Sequence, residues 1–119
     1  MYKLPKNFDG NFLIGCVLEQ ICFNQNQLCL HFNNNVSITI EGSFSYGQED
    51  SEANHKIINI PIKESDIMQL LGIPVSKAYG DKNGTLYLIF NNGYSLRCYD
   101  SSSQYESYQI KYGDTLIIV

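Results

Sequence analysis

Basic residues are few in this chain, and those present are scattered. Eight Lys and Arg stand against twelve Asp and Glu, giving a formal net charge of −4 and a pI near 4.9. A nucleic-acid binder neutralises phosphates with a basic stripe, whereas Lys63, Lys77, Lys82, Arg97 and Lys111 come one at a time. The pattern speaks against direct nucleic-acid binding, and a partner selected by charge is expected to be basic. Long apolar runs are also missing: no window approaches the roughly 20 residues that a membrane-spanning helix needs. The tetrad LIGC at 13–16 has the look of a lipoprotein cleavage box, but such a box follows an apolar run of about seven residues or more, and MYKLPKNFDGNF supplies none. No membrane association is expected, and the expected location is cytoplasmic.

Chemistry-bearing motifs are lacking as well. There is no G-x-S-x-G elbow, no phosphate loop ending in Lys, no H-E-x-x-H and no dinucleotide fingerprint. The four cysteines, Cys16, Cys22, Cys29 and Cys98, have no paired C-x-x-C spacing of the kind that holds zinc. In a reducing compartment they are expected to be thiols. Only two histidines occur. His31 falls mid-strand, and His55 lies in a polar loop beside Glu49, Asp50 and Glu52, where a lone mobile imidazole is a weak ligand or base. The expectation is a protein without cofactor or metal that is not an enzyme.

What is present is a globular composition, 44% hydrophobic and 17% charged, in 119 residues, which suits one domain spanning 1–119. Its main feature is a repeated phrase. LHFNNNVSI at 30–38 returns as LIFNNGYSL at 88–96, and Leu28, Leu30, Phe32, Asn33, Asn34 and Ser37 match Leu86, Leu88, Phe90, Asn91, Asn92 and Ser95 at an offset of 58, while Gly15 matches Gly72 at 57. In LCLHF and LYLIF the large apolar residues recur at every second position, the period of one strand face. Asn92-Gly93, and less comfortably Asn34-Asn35, read as two-residue hairpin turns. The spacing predicts two three-stranded antiparallel meanders, at about 16–23, 28–33 and 36–46 and about 74–80, 85–91 and 93–100. The fold class is therefore mainly β (α+β), an internal duplication of about 13–46 and 70–100 packed as a sandwich or partly open barrel.

Between the units, GQEDSEANHK at 47–56 reads as an exposed, mobile loop, IINIPI at 57–62 as an edge strand, and ESDIMQLLG at 64–72 as a short helix. In that helix Ser65 caps the start, Ile67, Leu70 and Leu71 face inward, and Gly72 ends it. Two more strands are expected about a Gly113-Asp114 turn. Cys22 and Cys29 fall opposite one another across the first hairpin; their counterparts Tyr79 and Tyr87 mark these as packing positions rather than a bridge.

The candidate binding residues cluster in RCYDSSSQYESYQIKY at 97–112. Tyr99, Tyr105 and Tyr108 stand there with Asp100 and Glu106, and tyrosine gives large contact area at little entropy cost. Strand alternation offers a plainer account of Tyr108, Ile110 and Tyr112 as a core-facing row. Glu49, Asp50 and Glu52 extend the candidate surface.

The Leu-x-Gly start, the LYLIFNNGYSL hairpin, the YESYQI strand and the TLIIV terminus together resemble a family of small bacterial proteins of unknown function, one that lends no catalytic residues. In size and acidity the chain is also similar to immunity proteins of contact-dependent inhibition and polymorphic toxin systems. That resemblance implies a cytoplasmic binding protein that neutralises a basic, nuclease-like toxin. Two alternatives stand beside it: a small enzyme or ligand-binding β-barrel using His31 or an Asp100–Glu106 carboxylate pair, and a structural or assembly module pairing through an open strand edge.

Overall fold

Wherever large apolar residues alternate, the chain forms strands. A computed structural model describes residues 3–101 and 106–119. Among the described residues ten strands run in order: β1 (Leu18–Phe23), β2 (Leu28–Phe32), β3 (Val36–Ile40), β4 (Phe44–Gln48), β5 (Lys56–Ile58), β6 (Val75–Gly80), β7 (Leu86–Phe90), β8 (Tyr94–Cys98), β9 (Tyr108–Tyr112) and β10 (Thr115–Ile118). They make two five-stranded antiparallel sheets, β1-β2-β3-β9-β10 and β5-β4-β8-β7-β6. Each sheet is open at both ends of its strand order, so neither closes into a barrel. Leu28, Leu30, Phe32, Ile38, Ile40, Tyr108 and Ile110 of the first sheet join Phe44, Leu86, Leu88, Phe90, Leu96 and Cys98 of the second in one buried cluster.

The two hairpins share a register. Leu18 pairs with Phe32, Ile21 with Leu30 and Cys22 with Cys29, with an irregularity between Leu18 and Gln20. Val75 pairs with Phe90, Ala78 with Leu88 and Tyr79 with Tyr87, with an irregularity between Val75 and Lys77. Both hairpin tips close through an acceptor side chain at the first turn position, as expected where a short polar side chain imitates a backbone turn. Asn24 Oδ1 accepts from the Asn26 and Gln27 amides, and Asp81 Oδ1 from those of Asn83 and Thr85.

Several expectations need correction. The segment 36–46 is two strands in different sheets: after Ile40 the Glu41 and Gly42 amides both donate to the Ser107 carbonyl, and the chain leaves for the second sheet. Gly42 fits there because a Cβ would fall 2.5 Å from Ser101 Oγ. Likewise β9 leaves the second half to pair with β3, while β4 pairs with β8. The expected helix at 64–72 is a single 3₁₀ turn, Ile67–Leu70. With three residues per turn Ile67 and Leu70 share one face; both are buried, and Leu71 is turned out to solvent. Of the expected strand 57–62 only β5 forms, at the sheet edge, ahead of a cis Ile60-Pro61 bond. At the turn between β7 and β8 positive φ is confined to Gly93, whereas both Asn34 and Asn35 take it at the turn between β2 and β3. Asn92 instead uses its Oδ1 to accept from the Tyr94 amide. The two closing strands do meet about Gly113-Asp114, with Tyr112 opposite Thr115.

Candidate functional site

Strand β8 turns Leu96 and Cys98 toward the core, so Ser95 and Arg97 point to the opposite face of the second sheet. All four are nonetheless buried, which requires a cover. The cover is the segment 49–55, including a short 3₁₀ turn at Glu52–Asn54, laid over the outer face of β4 and β8. Gly47 makes the approach possible: a Cβ there would sit 2.8 Å from the His55 Cα and 2.5 Å from the Asn54 carbonyl oxygen.

Two sets of polar contacts hold this cover. Arg97 donates from Nη1 to Glu52 Oε2 at 2.9 Å and from Nη2 to Glu52 Oε1 at 2.6 Å, a bidentate pair, and from Nη2 to Glu49 Oε1 at 3.2 Å. Its guanidinium also lies 5.5 Å from the Tyr87 ring centroid, within cation–π range, and Tyr87 stacks on Tyr79 at 4.9 Å. These contacts hold Arg97 protonated, with the bonds to Glu52 outweighing burial, and they hold the Glu52 carboxyl below the ordinary glutamate value. The second set centres on His55. Its Nδ1 is 2.7 Å from Ser45 Oγ and its Nε2 is 2.8 Å from Ser95 Oγ; Ser45 Oγ is in turn 2.8 Å from the Tyr99 hydroxyl. In either neutral tautomer one serine accepts from the ring and the other donates to it. Burial first, then the nearby Arg97 charge, depresses the His55 pKa below its ordinary value, against an opposing pull from Glu49 and Glu52. The imidazole is therefore not the lone mobile group that its loop composition suggests.

The expected binding residues distribute unevenly about this site. Glu49, Glu52 and Tyr99 belong to it, and Asp50 is exposed on the covering segment. Tyr108 lies wholly in the core, donating from its hydroxyl to the Gly84 carbonyl at 2.6 Å, so it has no surface to offer a partner; the core-facing alternation of Tyr108 and Ile110 accounts for it. Asp100 is nearly enclosed, 3.7 Å from Lys3 Nζ, with Ser107 Oγ donating to its Oδ1 at 3.5 Å. Glu106 is half-buried, and Tyr105 lies outside the described residues. His31 is exposed on the outer face of the first sheet, in a shallow depression shared with Glu19, Ser37 and Lys111, well apart in topology from His55. Among the described residues no three His, Cys, Asp or Glu side chains are grouped to hold a metal ion, and no helix is long and apolar enough to cross a membrane.

Four members of the site escaped the sequence reading: Ser45, Ser95, Arg97 and the positioned form of His55. One signal was available. The chain's single arginine falls between Leu96 and Cys98, and a lone arginine inside an apolar strand calls for a carboxylate partner.

With the geometry in place the chain can be set against known proteins. It belongs to DUF6188, a family of unknown function. The family model matches residues 11–119, which takes in both sheets and the whole of the Arg97–His55 site of this DUF6188 chain. No curated protein and no solved structure matches it.

Proposed function

We propose that the protein is a non-enzymatic cytoplasmic binding protein whose partner is a basic protein, with an immunity role against a nuclease-like bacterial toxin as the specific form of this reading. The observation that carries it is the acidic covering segment. Glu52 keeps 77% of its side chain exposed while Arg97 holds it from below, and Asp50 stands beside it, exposed. A surface acid anchored in one orientation loses little freedom on association, and acidic rims steer basic partners chiefly through the association rate. A catalytic reading has less support, because the Ser45 and Ser95 hydroxyls that touch His55 belong to residues 1% and 0% exposed, out of reach of a substrate.

The test is capture of basic proteins from native extract, followed by kinetics with the purified partner. Asp50→Lys is expected to slow association by about tenfold at low salt and to flatten its salt dependence. Unchanged association kinetics for the folded variant, or capture only of acidic proteins, would remove the reading.

We infer further that residues 13–46 and 70–100 are one unit used twice. Supporting this are the equivalent registers, the equivalent irregularities at Leu18/Gln20 and Val75/Lys77, and the paired turns at Asn24 and Asp81. The core leucines and phenylalanines recur between the copies, whereas on the outer face only the serine at 37 and 95 does: Cys22, Cys29 and Thr39 stand where Tyr79, Tyr87 and Arg97 stand. In this reading the outer face of the second sheet is where the copies diverged toward function.

A further inference from the structure

A second polar site lies at the end of β4, beside the covering segment but separate from the Arg97 and His55 contacts. There a cavity of about 310 Å³ is lined by Tyr46, Gln48, Asn54, Lys56, Asp66 and Tyr94. Tyr46 is only 8% exposed, and its hydroxyl is buried with no hydrogen-bond partner among the described residues. Buried polar groups are nearly always satisfied, so such an orphan asks for an explanation. The Tyr46 ring stacks on Tyr94 at 5.4 Å between centroids. Burial, and then the neighbouring Tyr94 and Asp66, push its pKa up; the group is a neutral donor at physiological pH.

We propose that this cavity binds a small zwitterion of the α-amino acid class. The lining groups divide as such a ligand requires. Lys56 offers a cation and Asp66 an anion, and neither is in an ion pair within 4 Å among the described residues. Lys56 meets the ligand carboxylate, and the orphan Tyr46 hydroxyl donates to that same carboxylate, giving the buried donor the acceptor it lacks. Asp66 meets the ammonium group. The Tyr94 ring walls the apolar part, and the Gln48 and Asn54 amides bond on either polarity. A purely anionic ligand would leave Asp66 opposed, and a purely cationic one would leave Lys56 opposed. The cavity is at the lower end of the size range of small-molecule sites, large enough for an amino acid and too small for an oligomer. This inference is independent of the protein-partner reading above.

The experiment is a solution NMR titration of the whole protein with L-alanine, N-acetyl-L-alanine and L-alaninamide, which carry both charges, the carboxylate only and the ammonium only. Alanine is expected to give saturable shifts at Tyr46, Lys56, Asp66 and Tyr94, with each half-charged analogue bound about tenfold more weakly. Asp66→Asn and Tyr46→Phe should each weaken alanine by a similar factor, and Tyr46→Phe should leave the denaturant midpoint unchanged or raised, since an unpaired hydroxyl is removed. Equal binding of the three probes, shifts centred elsewhere, no saturation at tens of millimolar, or full affinity in both variants would overturn the proposal. So would a lowered midpoint in Tyr46→Phe, which would assign the hydroxyl an internal partner.

Discussion

Arg97 is directed outward by the same strand alternation that directs Leu96 and Cys98 inward, and an outward arginine ordinarily meets water. Here it meets Glu52 and Glu49, so removing the carboxylate charge should loosen the covering segment: Glu52→Gln is expected to lower the denaturant midpoint and speed amide exchange at 49–55. The pH dependence follows from the same contacts. His55 in the folded protein has a pKa below its ordinary 6.5, so the unfolded chain binds the proton more readily; stability is complete above about pH 6.5 and falls as the pH drops through the folded value. Glu52 acts in the same sense at lower pH, its stabilisation being lost as the pH falls below the ordinary value of 4.5. Urea melts between pH 7.5 and 5 should show decreasing midpoints, and His55→Gln should flatten the upper part of that curve; a midpoint that rises toward pH 5 would contradict the assignment. Tyr108→Phe removes the donor to the Gly84 carbonyl and should cost about 1 kcal/mol, or up to about 3 if that carbonyl stays dry. The Tyr108 environment was legible only as an alternation, because Tyr serves equally as a buried packing residue and as a contact residue. The Cys98 thiol, pushed up to about 12 by burial, is unreactive for the same reason that makes Tyr108 inaccessible.

The hairpins are the elements most plainly written in the chain. Period-two spacing of Leu28, Leu30 and Phe32 and of Leu86, Leu88 and Phe90 places them on the buried face, and the pairing of Tyr79 with Tyr87 occurs where Cys22 pairs with Cys29. Phe32→Ala and Phe90→Ala should each destabilise by about 3 to 5 kcal/mol in denaturant melts; a cost below about 1 kcal/mol at either would place that ring outside the core. The 49–55 cover is exposed on its outer side, as its polar composition requires; that composition carries no sign of the docking on Gly47, which gives those residues their second meaning. Gly47→Ala should force the cover away from β4, costing about 1 to 3 kcal/mol as an overpacked contact, and should raise exchange at 49–55 while leaving β2 and β7 protected. Unchanged exchange in that segment would show that the backbone approach at Gly47 is not what seats it. At 64–72 the difference between helix and 3₁₀ turn is one of length: a single turn is ended by Gly72 and Pro74 before an α-helical face can form.

Taken whole, the molecule exchanges strands between its halves: β4 and β5 complete the sheet of β6-β7-β8, and β9 and β10 complete the sheet of β1-β2-β3. Each half therefore carries pieces of two sheets and a complete version of neither. Fragments 1–60 and 61–119 should each lack cooperative unfolding as monomers, and mixing them should restore native far-UV circular dichroism with a one-to-one complex in sedimentation. A monomeric 1–60 fragment that melts cooperatively would mean that the cross-sheet strands contribute little to either sheet.

By itself the sequence determined the local pattern: which residues alternate, where Asn and Gly permit hairpin tips, and which faces are apolar. These are properties of neighbours within about ten residues, governed by the pleat and by turn sterics. Only the tertiary structure decided that the chain changes sheets between Ile40 and Phe44, that the acidic segment closes over Arg97, and that His55 stands between Ser45 and Ser95. The contacts of Glu52 with Arg97 and of His55 with Ser95 join residues 45 and 40 positions apart, and polar pairs at such distances leave no periodic trace in a single chain. Their energy comes from removing water around both partners at once, which happens only when the sheets are already in place.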